Sequence, residues 1–330
     1  MGRTGRSVAA GIAVAGVAGL GLLALPGGAG AAPELPPVSA QDLVASVLAA
    51  HPGAFSGTVQ LDNELGLPAL PDVPQAANGT STAQVWSGGD GKSRVQIPSS
   101  TGERTLVSDG TTFWSWNSDN KTVTKTTKQA GQPHAAPADP AAAATSALAK
   151  LQPTSEIAVD GTAEVAGRPA YELVLTPKPT ERTLLREVRI AVDAQQRVPL
   201  QLTVLAQGSA NPALQIGYTD LTFGPQDASR FTFTPPQGAT VTDAAAHPDA
   251  SAKPDSSTTV GDGWDTVVVG KVPAQQDPKN KLAGLGTPVN GSWGSGRLIS
   301  TAVANAIVTD DGRIAMGAVP EQVLSETLSR

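Results

Sequence analysis

The sequence predicts a mainly β fold, an antiparallel meander or barrel, followed by a small α+β extension. Three observations predict it. Charged residues make up only 16% of the chain, while 35 glycines and 27 prolines supply frequent chain reversals. Short apolar-alternating runs recur between turn signals from Phe55 to Phe223, the spacing of an all-β domain. Only a few stretches carry helical periodicity.

The elements follow in order. Arg3 and Arg6, an uncharged run from Val8 to Leu25, the breaker Pro26-Gly27-Gly28 and an Ala29-Gly30-Ala31 site have the layout of an export signal over residues 1–31. An uncleaved anchor is the alternative, since about 18 residues sits at the short limit of a membrane span. Leu43, Val44, Val47 and Leu48 form one stripe of a helix over 39–49, with Ser39 as N-cap and Asp42 in its first turn. Phe55–Leu61 reads as the first strand. Pro68, Pro71 and Pro74 make Asn63–Gly79 a loop. Gln84–Ser87 and Lys92–Ile97 pair around Gly88-Gly89-Asp90-Gly91, a hairpin turn rather than a phosphate loop, because Trp86 stands where that motif needs glycine.

Asp109-Gly110 is a two-residue hairpin signal. Trp114 and Trp116 follow it on one face of a strand. Lys121–Thr127 adds a threonine-rich strand. Ala138–Leu151 reads as an alanine-rich helix with Pro140 in its first turn. Tyr171, Leu173 and Leu175 then alternate, as do Val188, Ile190 and Val192; Leu200, Leu202 and Val204; and Leu214, Ile216 and Tyr218. Phe231–Thr234 reads as an aromatic strand that Pro235 and Pro236 must end, before Gly238 reverses the chain.

Residues 244–262 are rich in Ala, Pro, Ser and Asp and read as a linker. In the tail, 263–330, Trp264–Gly270 reads as a strand, Arg297–Val308 and Arg313–Val319 flank an Asp310-Asp311-Gly312 hairpin, and Pro320–Leu328 closes as a helix. About 65 residues without disulfides make a small independent core, so the tail is expected to pack on the main domain.

Composition excludes several functions. The chain has no cysteine, which removes disulfides, thiolate catalysis, Cys-zinc sites and a lipid-modified N-terminal cysteine. A net charge of −6 without a Lys/Arg run argues against nucleic acid and against general attraction to anionic membranes. His51, His134 and His247 stand at or near prolines in loops, and there is neither an H-x-x-x-H pair nor a G-x-S-x-G elbow. Asp310-Asp311 reads as turn chemistry. No catalytic residue, cofactor site or metal site is assigned, and the chain reads as a non-enzyme.

What remains are strands apolar on one side. A twisted sheet that curls without closing leaves a concave apolar face, to be covered by helices or by a ligand. An acyl chain suits such a face, because burying each CH2 is worth ~0.8 kcal/mol with no polar specificity. A filled, dry core is the alternative.

The stretch from Phe231 to Val241, with its Pro-Pro-Gln-Gly turn, and the block from Thr105 to Thr127 resemble the periplasmic lipoprotein-carrier family, LolA-like, which includes the RseB/MucB-type sensors. The similarity spans most of 35–243 and is sharpest at 104–124, 167–177, 193–204 and 216–241. It implies an unclosed antiparallel β-barrel with helical lids over 32–243 that holds acyl chains of lipids or lipoproteins. The cavity positions it implies are Val59, Trp86, Val95, Ile97, Trp114, Trp116, Tyr171, Leu173, Ile190, Leu202, Val204, Ile216 and Tyr218. Proteobacterial carriers tend to have an arginine soon after the strand that holds Trp86, thought to latch the lid. Here Ser87-Gly88-Gly89-Asp90 fills that stretch and Arg94 is the nearest candidate. Such carriers usually end near the Pro-Pro-Gln-Gly turn, so the extra tail suggests a longer branch of the family. The expected partners are lipids or lipoproteins, with a membrane-bound anti-sigma factor or a transporter as alternatives. A secreted hydrolase is the remaining reading.

Overall fold

A computed structural model describes residues 33–66, 78–127, 148–244, 258–271 and 286–330. The export signal, His134, His247, most of the proline loop and most of the 138–151 helix lie outside the described residues. Of that helix, 148–151 is described and is helical.

The chain forms a helix and then twelve strands in one open sheet. Helix α1 (Ala40–Ala49) starts at Ser39, whose hydroxyl oxygen accepts the Asp42 N–H at 3.0 Å and so satisfies one of the unpaired N-terminal donors. The strands are β1 (Phe55–Asn63), β2 (Gly79–Ser87), β3 (Lys92–Pro98), β4 (Glu103–Asp109), β5 (Thr112–Asn117), β6 (Thr122–Thr127), β7 (Ser155–Val165), β8 (Arg168–Pro177), β9 (Leu185–Asp193), β10 (Pro199–Ala206), β11 (Pro212–Phe223) and β12 (Thr240–Ala244). Their order in the sheet is β12-β6-β5-β4-β3-β2-β1-β11-β10-β9-β8-β7. All neighbours are antiparallel except β12, which runs parallel to β6. β12 and β7 are the two edges and do not pair, so the sheet is unclosed.

Local chemistry sets the reversals. At the β4–β5 turn the Asp109 carboxylate accepts the N–H groups of Thr111 and Thr112 at 2.8 and 2.7 Å, and Gly110 takes φ 99°, a conformation that costs glycine little. On β11 an extra residue at Thr219 breaks the register against Val59 and Thr58. β11 runs on past its last ladder pair with β10, Gln201 with Gly217. There Val165, Ala170, Ala191, Leu200 and Leu221 bury one another.

Three stretches differ from the sequence reading. Phe231–Thr234 is not a strand. Ala228–Phe231 forms a 3-10 turn, and the chain crosses the sheet without ladder pairing until β12. Alternating Phe and Thr suits any extended chain that buries every second side chain, so alternation alone does not demand a ladder partner. Arg297–Val308 is two strands, because Thr301 caps a reversal there by accepting the Ala304 N–H at 2.9 Å. Trp264 precedes its strand; its indole N–H donates to the Ser155 hydroxyl at 2.7 Å, which ties it to the first sheet.

The C-terminal part forms a second sheet of six strands: β13 (Thr258–Val260), β14 (Val267–Lys271), β15 (Thr287–Gly291), β16 (Gly294–Ser300), β17 (Asn305–Thr309) and β18 (Arg313–Gly317). Their order is β13-β14-β18-β17-β16-β15, and β13 falls within the stretch that composition marks as a linker. Helix α2 (Glu321–Leu328) covers this sheet. Val267, Trp293, Ile307, Ala315, Val319, Val323, Leu324 and Leu328 form a core that belongs to it alone. Hydrogen bonds join it to the first sheet. Thr183 Oγ1 and the Leu184 N–H donate to the Ala318 carbonyl at 2.7 and 2.8 Å, and the Ala302 N–H donates to the Leu65 carbonyl at 2.9 Å.

Candidate binding face

Residues directly opposite each other in a ladder share a face, so the register sorts the side chains. One row runs Leu173, Ile190, Leu202, Ile216, Leu61 across β8, β9, β10, β11 and β1. The next runs Leu175, Val188, Val204, Leu214. On the other half of the sheet the same face carries Gly57, Val85, Val95 and Leu106 in one row. Val59 faces Tyr218, and Ile97 lies two places beyond Val95.

Helix α1 lies on this face at its β7–β9 end. Leu43, Val44 and Val47 pack there against Tyr171, Leu173, Ile190 and Val192. The Tyr171 hydroxyl donates to the Pro36 carbonyl at 2.9 Å, and the Arg197 guanidinium sits 5.0 Å over its ring. Tyr171 and Leu173 are therefore buried, at 5% and 7% exposure. Farther from α1 the face is only half covered by the described residues. Val59, Val95, Ile97, Leu202, Val204 and Tyr218 are half-buried, and Ile216 is 38% exposed.

The register thus brings together Val59, Val95, Ile97, Tyr171, Leu173, Ile190, Leu202, Val204, Ile216 and Tyr218. It does not bring Trp86, Trp114 and Trp116 to them. Trp86 pairs with Arg94, Arg94 with Val107, Val107 with Trp114, and Thr105 with Trp116, which places all three rings on the opposite face. There the 228–236 segment lies against Trp114 and Trp86. Phe233 meets Trp114 at 5.7 Å between ring centres, and the Arg230 guanidinium lies 4.8 Å over Trp86. Lys125 stands 5.2 Å over Trp114. Val107, Val123 and Phe231 beside them are almost wholly buried, and the three tryptophans are half-buried. Arg94 also belongs here, donating to the Arg230 carbonyl at 3.3 Å.

The expected cavity set omits Leu61, Val85, Leu106, Val188 and Leu214 on the α1 face, although the alternation already groups Val188 with Ile190 and Leu214 with Ile216. Each lies two positions from a residue of that set, or opposite one, so strict alternation carried to the strand end would have added Leu61. Val85 and Trp86 are neighbours in sequence and choosing between them needs the register.

Burial acts on two titratable groups of the sheet. Burial pushes the Asp193 carboxyl up, but the Arg168 guanidinium and the Gln196 and Gln195 amides outweigh burial and hold it below the ordinary aspartate value. Burial raises the Tyr218 phenol. Among the described residues, no group of three or more His, Cys, Asp or Glu side chains stands together to hold a metal ion. A cleft of about 580 Å³ lies at the strand ends, between Lys92, Phe223 and Phe231.

No family model matches the chain, and no curated protein matches it in sequence. Solved structures do. MucB in the MucA/MucB complex of Pseudomonas aeruginosa is similar at 17% identity over 88% of this chain and 96% of that one, with a TM-score of 0.48. A LolA superfamily protein from Nitrosomonas europaea is similar at 15% identity over 60% of this chain and 99% of that one, with a TM-score of 0.26. Lipoprotein LppX of Mycobacterium tuberculosis is similar at 10% identity, over 54% and 92%, with a TM-score of 0.32.

Proposed function

We propose that this protein is an exported, non-enzymatic carrier or binding protein for the acyl chains of lipids or lipoproteins. One observation carries the reading: the α1 face presents a contiguous apolar surface across β10, β11, β1, β2, β3 and β4 whose side chains are half-exposed rather than buried. A filled core would bury them, as Val107 and Val123 are buried on the opposite face. Burying apolar surface is worth roughly 25 cal/mol per Å², so a ligand with long CH2 chains gains by lying on it. Continuous apolar surface of this kind marks a binding site.

Titration of the purified protein with a fluorescent fatty acid, joined to native mass spectrometry of the protein as isolated, tests the reading. Saturable binding or co-purified lipid is the expected result. No binding in either measurement rejects it. Affinity capture from envelope extracts separates the rival partner class: a single stoichiometric membrane protein without lipid would indicate a sensor of an anti-sigma factor instead.

A further inference from the structure

From β1 to β6 the ladder places one charged side chain on the α1 face, Arg104. It stands opposite Ile97 on β3 and Asn117 on β5. It is exposed, and it makes no side-chain hydrogen bond or ion pair with any described residue. At the other end of the face Arg197 is already engaged over the Tyr171 ring. We propose that Arg104 is the headgroup anchor of the acyl-binding face and selects amphiphiles with an anionic headgroup, a carboxylate or a phosphate. This rests on the acyl-binding reading above.

The physical argument concerns what happens when a ligand covers the face. Laying acyl chains over Ile97 and Leu106 takes water from the neighbouring guanidinium. An unpaired charge so desolvated is penalised heavily. A carboxylate or phosphate at that position removes the penalty and fits the planar fork of arginine with paired hydrogen bonds. A neutral ester does not. The chains then have about 24 Å of apolar surface to run across, from β4 to β10 at roughly 4.8 Å per strand.

The test uses the purified protein and two matched probe pairs: a fluorescent fatty acid with its methyl ester, and phosphatidylglycerol with diacylglycerol as competitors. The wild-type protein should bind the charged member of at least one pair about tenfold tighter than the neutral one, as expected for one charge-assisted contact. Which pair shows the preference tells whether a carboxylate or a lipid phosphate is the source. In Arg104→Gln the preference should vanish, with the neutral probe binding at least as tightly as in the wild type because no unpaired charge is covered, while melting temperature holds, and Arg104→Lys should recover part of the preference. Absence of any preference in the wild type, or its survival in Arg104→Gln, overturns the anchor while leaving acyl binding intact. Failure of every probe to bind overturns both.

Discussion

Asp193 and Arg168 join the end of β9 to the start of β8, and the Asp193 side chain is 1% exposed. Removing a charge from such a pair strands its partner, so Asp193→Asn should lose about 3 kcal/mol, read by chemical denaturation. The pH dependence has a definite sign. The folded-state pKa lies below the unfolded one, so the aspartate's contribution is complete above the ordinary carboxylate range. It is lost as pH falls through the folded value. The wild type should therefore lose melting temperature steeply on acidification below about pH 4, and Asp193→Asn should show a shallower fall. On the binding face the residue-level expectation is reversed. Ile216 is already 38% exposed, so Ile216→Asp should barely change stability yet weaken acyl binding by more than about tenfold, as a charge meets the buried chain. Trp114→Ala should do the opposite. It removes packing against Phe233 and Lys125 and so destabilises, by about 2–3 kcal/mol for a half-buried ring, with acyl affinity unchanged.

Helix α1 is the element that the sequence showed most clearly, since its cap and apolar stripe are local. Leu43 is fully buried against the sheet, and Leu43→Ala should cost about 3 kcal/mol by thermal or denaturant unfolding. Ser39→Ala, which removes the cap, should cost about 1 kcal/mol. Hairpins were equally legible where Asp-Gly fixes the reversal, at Asp109-Gly110 and at Asp311-Gly312. The 228–236 segment was not. Its alternating aromatics have the same period as a strand, and only the absence of a neighbour distinguishes them. Nor was β7, whose interior carries Asp160 and Gly161 at a register shift and so breaks the apolar alternation that marks a strand.

At the scale of the whole molecule, the open mainly β sheet was legible because turns and alternation repeat along the chain. Which face each strand turns inward was not. Trp86 and Val95 both read as cavity residues, yet Trp86 pairs with Arg94 and Val85 with Val95. A shift of one residue exchanges the faces, and a sequence does not state its register. The size of the second sheet's core was also missed, because its members come from Val267 to Leu328 and meet only when the sheet forms. The central claim is that the α1 face, and not its reverse, takes the ligand. The chain has no native cysteine, so single thiols can report on each face without background. Ile216→Cys places one on the α1 face, and Thr82→Cys places one on the reverse, both at exposed positions. The decisive measurement is the rate of thiol labelling by a water-soluble reagent with and without a saturating fatty acid. The account predicts that ligand slows labelling of the Ile216→Cys protein several-fold and leaves the Thr82→Cys protein unchanged. Equal rates with and without ligand at Ile216→Cys, or protection only at Thr82→Cys, would contradict it.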